Sequence, residues 1–289
     1  MNAPDWVEPP PALPAPVIDS HCHLDVDRDG QVLPLTDALA RARAVNVTEV
    51  VQVGCDLPAA ARAVRWAREH DGVHAAVALH PTEAAELAAR GPDVLDAALE
   101  RIGELAADPA VVAVGETGLD RYWTRDAAGL AAQERSLRAH VRLARDLDRT
   151  LVVHDRDAHD DLLRVLDSED LPERVVLHCF SGDAAMARRC VRAGWYLSFA
   201  GPLTFRNAAE LRAAAQAAVA EAGLAQVLVE TDAPYLTPHP WRGRTNSCYL
   251  LPWTVRALAD VVGADLTEVC EQTHRATRAA FALPQVTDG

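Results

Sequence analysis

The stretch Val17-Ile18-Asp19-Ser20-His21-Cys22-His23 sets the reading of the chain, because an apolar run ends there in two histidines one residue apart. Along an extended strand successive side chains alternate in direction, so His21 and His23 share one face and Cys22 takes the other. Two imidazoles on one face make a clamp for a metal ion, and zinc, iron, nickel and manganese all suit it. A bare His-x-His is common in proteins, so the weight of this reading comes from what recurs downstream.

Outward from that stretch one pattern repeats. Short β-branched runs at 49–54, 73–79, 111–115, 151–153, 174–177, 195–199 and 226–230 follow the first strand. Helical stretches at 35–44, 58–70, 93–107, 127–147, 158–167, 183–193 and 207–222 separate them, and 252–262 and 266–281 close the chain. Nearly continuous apolar strands are those of a parallel sheet covered on both faces. Strand-then-helix units repeated eight times predict an α/β fold, a single (β/α)8 TIM barrel with an extra C-terminal helix. A doubly wound open sheet would need a glycine-rich first turn, and His21-Cys22-His23 occupies that place.

Polar residues fall in one register of this pattern. His21, His23, His80, Glu116, His154, His178 and Asp232 each lie at or just past the end of an expected strand. In a barrel those ends surround one pocket, so side chains able to bind metal or move protons converge there. The six remaining histidines (His70, His74, His140, His159, His239 and His274) fall elsewhere and receive no role. Cys22 and Cys179 adjoin the histidines but turn to the opposite face and read as buried thiols.

Composition narrows the chemistry. The 28 basic side chains are all arginine, which excludes lysine Schiff bases, a Walker-type phosphate loop and a carbamylated lysine between metals. A net charge of −14 excludes passive adhesion to nucleic acid through a broad basic surface, while bound divalent cations would still admit a polyanionic substrate. No run of about 18 apolar residues suggests a membrane span, and no obligate protein partner is called for. Six cysteines without a Cys-x-x-Cys pair read as reduced thiols of a cytoplasmic protein. Residues 1–16 are expected to be a disordered proline-rich tail, and 17–289 the barrel.

Four histidines and two carboxylates exceed the needs of one tetrahedral zinc with an open position. They suit two divalent ions roughly 3.5 to 4 Å apart, which activate water and clamp a displacement at phosphorus. Without a lysine, Glu116 is the natural bridging ligand. The chemistry indicated is hydrolysis.

Longer motifs carry a family resemblance. They are Asp19-Ser20-His21-Cys22-His23-Leu24-Asp25, Leu79-His80-Pro81, Val114-Gly115-Glu116-Thr117-Gly118-Leu119-Asp120, Val153-His154-Asp155-Arg156-Asp157-Ala158, His178-Cys179-Phe180-Ser181-Gly182, and Glu230-Thr231-Asp232-Ala233-Pro234-Tyr235-Leu236-Thr237-Pro238. Together they resemble the TatD family of metal-dependent deoxyribonucleases, within the amidohydrolase-like barrels. The resemblance implies that His21, His23, Glu116 and Asp232 hold one metal, and that Glu116, His154 and His178 hold the second. It implies a DNA exonuclease acting from the 3′ end of single strands with magnesium or manganese, and histidine-rich donors also admit zinc.

On that basis Asp232 is expected to orient the attacking water and act as general base. His80 is expected to face the scissile phosphate, stabilising developing charge or protonating the leaving group. Arg206, Arg242 and Arg244, after strands seven and eight, are expected to grip flanking phosphates. Tyr122 and Trp123 read as candidates for stacking a terminal base. Two places depart from the family pattern: Asn246-Ser247-Cys248 where Asn-Glu-Pro is usual, and Ala276 and Ala279 where asparagine and arginine are usual. The alternative activity is hydrolysis of a carboxylic ester or amide, including D-aminoacyl-tRNA deacylation.

Overall fold

The computed structural model describes residues 6–284 apart from 29 and 31. Its strands are β1 (Val17–Cys22), β2 (Val47–Gly54), β3 (Val73–Val77), β4 (Val111–Asp120), β5 (Thr150–Arg156), β6 (Val175–Leu177), β7 (Tyr196–Phe199) and β8 (Val227–Val229). They form one sheet in sequence order. A parallel bridge pairs Cys22 with Ala233, Asp232 N–H donates to His21 O at 2.9 Å, and His23 N–H donates to Ala233 O at 2.7 Å. The end of the last strand thus returns to the first, and the expected (β/α)8 barrel is what forms. β6 and β8, Val-Val-Leu and Val-Leu-Val, are buried throughout, as strands covered on both faces must be.

The helices are α1 (Leu35–Ala44), α2 (Leu57–Glu69), α3 (Pro81–Arg90), α4 (Pro92–Ala106), α5 (Ala127–Asp146), α6 (His159–Asp167), α7 (Ala184–Arg192), α8 (Ala209–Ala222), α9 (Leu251–Val262) and α10 (Leu266–Ala280). The chain divides into two compact units. Among the described residues, one comprises those through Val51 with Gly182–Ala193 and Leu197–Thr277; the other comprises Gln52–Ser181, Gly194–Tyr196 and those from Arg278.

Three expectations need correction. Residues 6–16 do not form a disordered tail. Val7 and Leu13 are buried, Tyr249 Oη donates to Val7 O at 2.8 Å, Asn46 Nδ2 donates to Leu13 O at 2.6 Å, and Arg256 donates to Pro11 O and Ala12 O. Residues 1–5 of that expected tail lie outside the described residues. Second, a helix unforeseen in the sequence, α3, begins directly after His80. Its start is favourable because Pro81 occupies the first turn, where a missing N–H costs nothing, and His80 caps it.

Third, Glu116 and His154 lie within β4 and β5, not at their ends. The β4–β5 register runs Val114↔Leu151 and then Thr117↔Val153, so β4 carries one extra residue at Gly115-Glu116. That is a β-bulge, a device that re-aims a side chain while letting the ladder resume. It resumes through Asp120↔Arg156. Gly118, at φ 150°, makes the resumption possible, since a Cβ there would overlap the His154 carbonyl oxygen.

Candidate metal centre

In the first unit, β1 delivers His21 and His23 with their Nε2 atoms 3.2 Å apart. Asp232 follows β8 at φ 52°, a left-handed conformation that aspartate tolerates better than most residues. Its Oδ1 lies 3.4 Å from His23 Nε2 and 3.9 Å from His21 Nε2. Asp19 fixes the geometry from below. This buried carboxylate accepts Thr231 Oγ1 at 2.5 Å, Thr231 N–H at 2.9 Å and His21 N–H at 3.3 Å, joining both ligand-bearing segments. Burial pushes its carboxyl up to about 8 against the pull of those donors.

Asn246 secures the loop that follows Asp232. Its Nδ2 donates to Thr231 O at 2.9 Å and to Tyr235 O at 2.7 Å, while its Oδ1 accepts Ser247 N–H at 2.9 Å. The departure at Asn246-Ser247-Cys248 therefore keeps the amide that ties this loop.

In the second unit, Glu116 Oε2 lies 2.7 Å from His178 Nε2 and 3.0 Å from His154 Nδ1, and those two nitrogens are 3.3 Å apart. A Cys55 Sγ–H contact to Glu116 Oε1 at 3.3 Å occupies the other carboxylate oxygen. His154 Nε2 faces Asp120 Oδ2 at 3.2 Å, so its Nδ1 is the nitrogen left for a metal. Burial pulls the His154 imidazole down, but hydrogen bonds to Asp120 and Glu116 outweigh it and hold the ring above its ordinary value. Burial likewise works to raise Asp120, and the bonds from His154 and Trp123 N–H hold it below the usual carboxylate range.

His80 offers a ring nitrogen within 4.8 Å of Glu116 and His154 ligand atoms, and its ring meets His154 edge-on at 4.6 Å. Its Nδ1 accepts Thr82 N–H at 3.2 Å at the start of α3, which places the neutral ring's proton on Nε2.

The buried face of α5 supports β4 through polar side chains. Gln133 Oε1 accepts Asp120 N–H at 2.9 Å and its Nε2 donates to Asp120 O at 3.2 Å. His140 Nδ1 donates to Ser136 O at 2.8 Å, and its Nε2 accepts Leu79 N–H, next to His80, at 3.3 Å. Thr117 Oγ1 lies 3.2 Å from His140 Nδ1, next to Glu116. Burial lowers His140 to about 4, so the ring is neutral near neutrality.

Do these donors fit metal ions? With metal–ligand bonds of about 2.1 Å, neighbouring ligand atoms of a tetrahedral or octahedral shell stand roughly 3.0 to 3.4 Å apart. Separations of 3.2 and 3.4 Å in the first unit and 3.0 and 3.3 Å in the second match edges of such shells, while His21–Asp232 at 3.9 Å is wider and His178–Glu116 at 2.7 Å is closer, as hydrogen-bonded partners are. Imidazole with carboxylate is also the donor set that zinc and manganese accept. His21, His23 and Asp232 could hold one ion, and Glu116, His154 and His178 another.

The expected phosphate grips are exposed or half-buried loop residues of the first unit. Arg242 stacks its guanidinium 4.6 Å from the Phe205 ring centre, which brings it to the turn bearing Arg206; both arginines are exposed and Arg244 is half-buried. Asp19, Cys55, Asp120, Gln133 and His140 were missed in the sequence. Counting by twos from Glu116 along β4 would have found Asp120, and applying the strand-end register to β2 would have found Cys55.

The chain is similar to known proteins along most of its length. The model of the family described as TatD related DNase matches residues 18–282. A metal-dependent hydrolase named TatD from Mycobacterium tuberculosis, itself called uncharacterized, is 46% identical over 92% of this chain and 98% of its own. A protein of Cronobacter turicensis named 3′-5′ ssDNA/RNA exonuclease TatD is 36% identical over 78% of this chain and 81% of its own. The crystal structure of a TatD homologue from Escherichia coli K12 superposes with a TM-score of 0.79 at 28% identity, covering 93% of this chain and 98% of that one.

Proposed function

The chain belongs to the TatD related DNase family, as a metal-dependent hydrolase, and from that premise we propose that it removes nucleotides from the 3′ end of single-stranded DNA. The observation that carries the proposal is the pair of clusters, each bringing two imidazoles and one carboxylate together, with two of its three separations at coordination spacing. The assignment of Glu116 to both ions rests on the family resemblance. The 3′ polarity rests on the relative named as a 3′-5′ exonuclease.

His21, His23 and Asp232 are proposed to hold one ion, His154 and His178 the other, with Glu116 serving both. Bound divalent ions would supply a lowered water pKa and positive charge against the phosphate oxygens. Magnesium or manganese is the proposed working metal, and zinc is compatible with the histidines.

The chain's own groups perform the proton handling. Asp232, an acceptor held in place by the Asp19–Thr231 bonds, takes the proton of the attacking water as general base. His80, with its proton at Nε2, donates to the developing charge or the leaving oxygen. Asp120 keeps His154 in one tautomer and orientation. Arg206, Arg242 and Arg244 are proposed to hold flanking phosphates as point contacts that position the strand without reading its sequence. A cytoplasmic location is proposed on the six cysteines without a Cys-x-x-Cys pair, read as reduced thiols. No helix among the described residues is long and apolar enough to cross a membrane.

The test presents single-stranded DNA and D-aminoacyl-tRNA separately to the metal-loaded protein. Mononucleotide release from the DNA supports the proposal. Release of the amino acid alone would replace it with the deacylase.

A further inference from the structure

Asp120 leads away from the metal-binding residues as well as toward them. Its Oδ2 faces His154, and its Oδ1 accepts the N–H of Trp123 at 2.8 Å. Trp123 is 67% exposed and Tyr122 43% exposed, and their rings meet edge to face with centres 4.9 Å apart. Arg156, the last residue of β5, lays its guanidinium 4.0 Å from the Tyr122 ring centre and 5.8 Å from that of Trp123. Arg121 N–H donates to Arg156 O at 2.9 Å, so the backbones are still paired where these side chains emerge. Large aromatic rings are ordinarily buried, and two displayed side by side under an arginine are a costly arrangement for mere rim packing.

We propose that Tyr122, Trp123 and Arg156 form a subsite for one unpaired nucleobase of the substrate strand, with the base stacked on the Trp123 indole. The inference rests on the nuclease reading given above and adds the group that receives the base. A base offers a flat π face to an exposed indole whatever its identity, so such a platform tolerates sequence but requires an unstacked strand. Arg156, already placed over the Tyr122 ring, adds a cation in a chain of net charge −14, where a polyanion needs local attraction. Through Asp120, whose two oxygens meet the Trp123 backbone N–H and His154, the backbone of the platform is tied to the metal-binding end of β5.

The experiment compares wild type, Trp123→Ala and Trp123→Phe with magnesium present. Affinity for a fluorescein-labelled, phosphorothioate single-stranded decamer is read by anisotropy, and cleavage kinetics are read on the natural decamer. Trp123→Ala is expected to weaken binding and raise KM about tenfold, with kcat within about twofold and bound metal unchanged, and Trp123→Phe is expected to restore most of the affinity. An abasic decamer is expected to bind all three proteins equally. Unchanged affinity in Trp123→Ala with cleavage intact, or equal losses on normal and abasic strands, would overturn the subsite alone. A wild type that binds no single strand yet hydrolyses a carboxylic ester would overturn the nuclease reading and the subsite with it.

Discussion

Asp120 and His154 are bonded side chain to side chain at 3.2 Å across neighbouring strands, with His154 Nδ1 turned to Glu116 and His178. The carboxylate sets which imidazole nitrogen is open, because Nε2 must carry the proton that Asp120 accepts. Asp120→Asn can present its amide N–H instead and favour the wrong tautomer. Metal affinity is expected to fall about 10- to 100-fold in competitive chelator titrations, with little change in melting temperature. Unchanged affinity would mean that Asp120 has no part in orienting the ring.

Stability should depend on His140 at mildly acidic pH. Its folded value of about 4 lies below the ordinary 6.5 because burial disfavours the cation. The unfolded chain therefore binds the extra proton first, so the contribution is full above about pH 6.5 and is lost as pH falls through 4. The loss approaches about 3 kcal/mol at its limit. Urea denaturation from pH 8 to 4 should show that dependence in wild type, and His140→Gln should flatten it.

The segment before β1 should contribute to stability. Leu13 is buried at 2% exposure, with N–H donating to Val45 O at 3.2 Å. Leu13→Ala is expected to cost about 2 to 4 kcal/mol by denaturant titration, where a disordered tail would give nothing measurable.

At Gly118, the missing Cβ is a condition of β4–β5 pairing beyond the bulge. Gly118→Ala should force the strands apart at His154 and cost more than about 2 kcal/mol, with weakened metal binding at that cluster. Retention of both stability and metal affinity would show that the backbone there shifts freely.

Much of this was legible in the chain because barrel strands are simple objects. Alternation put His21 and His23 on one face, and buried runs such as Val175-Val176-Leu177 marked strands without ambiguity. What escaped was set by tertiary contact. The bulge that holds Glu116 inside β4 depends on its pairing with β5, and sequence periodicity cannot show an inserted residue. Val7 and Leu13, among prolines, gave no periodic signal, and their burial comes from partners such as Tyr249, far along the chain. His140 looked like an ordinary helical histidine, since its partners at Leu79 and Thr117 belong to other elements. The start of α3 was readable from His80-Pro81 but was overshadowed by the longer helical pattern after it.

The most direct measurement is mononucleotide release from 3′- and 5′-labelled single-stranded DNA by wild type, Glu116→Ala and Asp232→Asn. Each protein is stripped by a chelator and resupplied with magnesium, manganese or zinc. Metal-restored release from the 3′ end by wild type, abolished in both variants, is the expected result. No release with any metal, while about two ions remain bound per chain, would contradict the nuclease assignment.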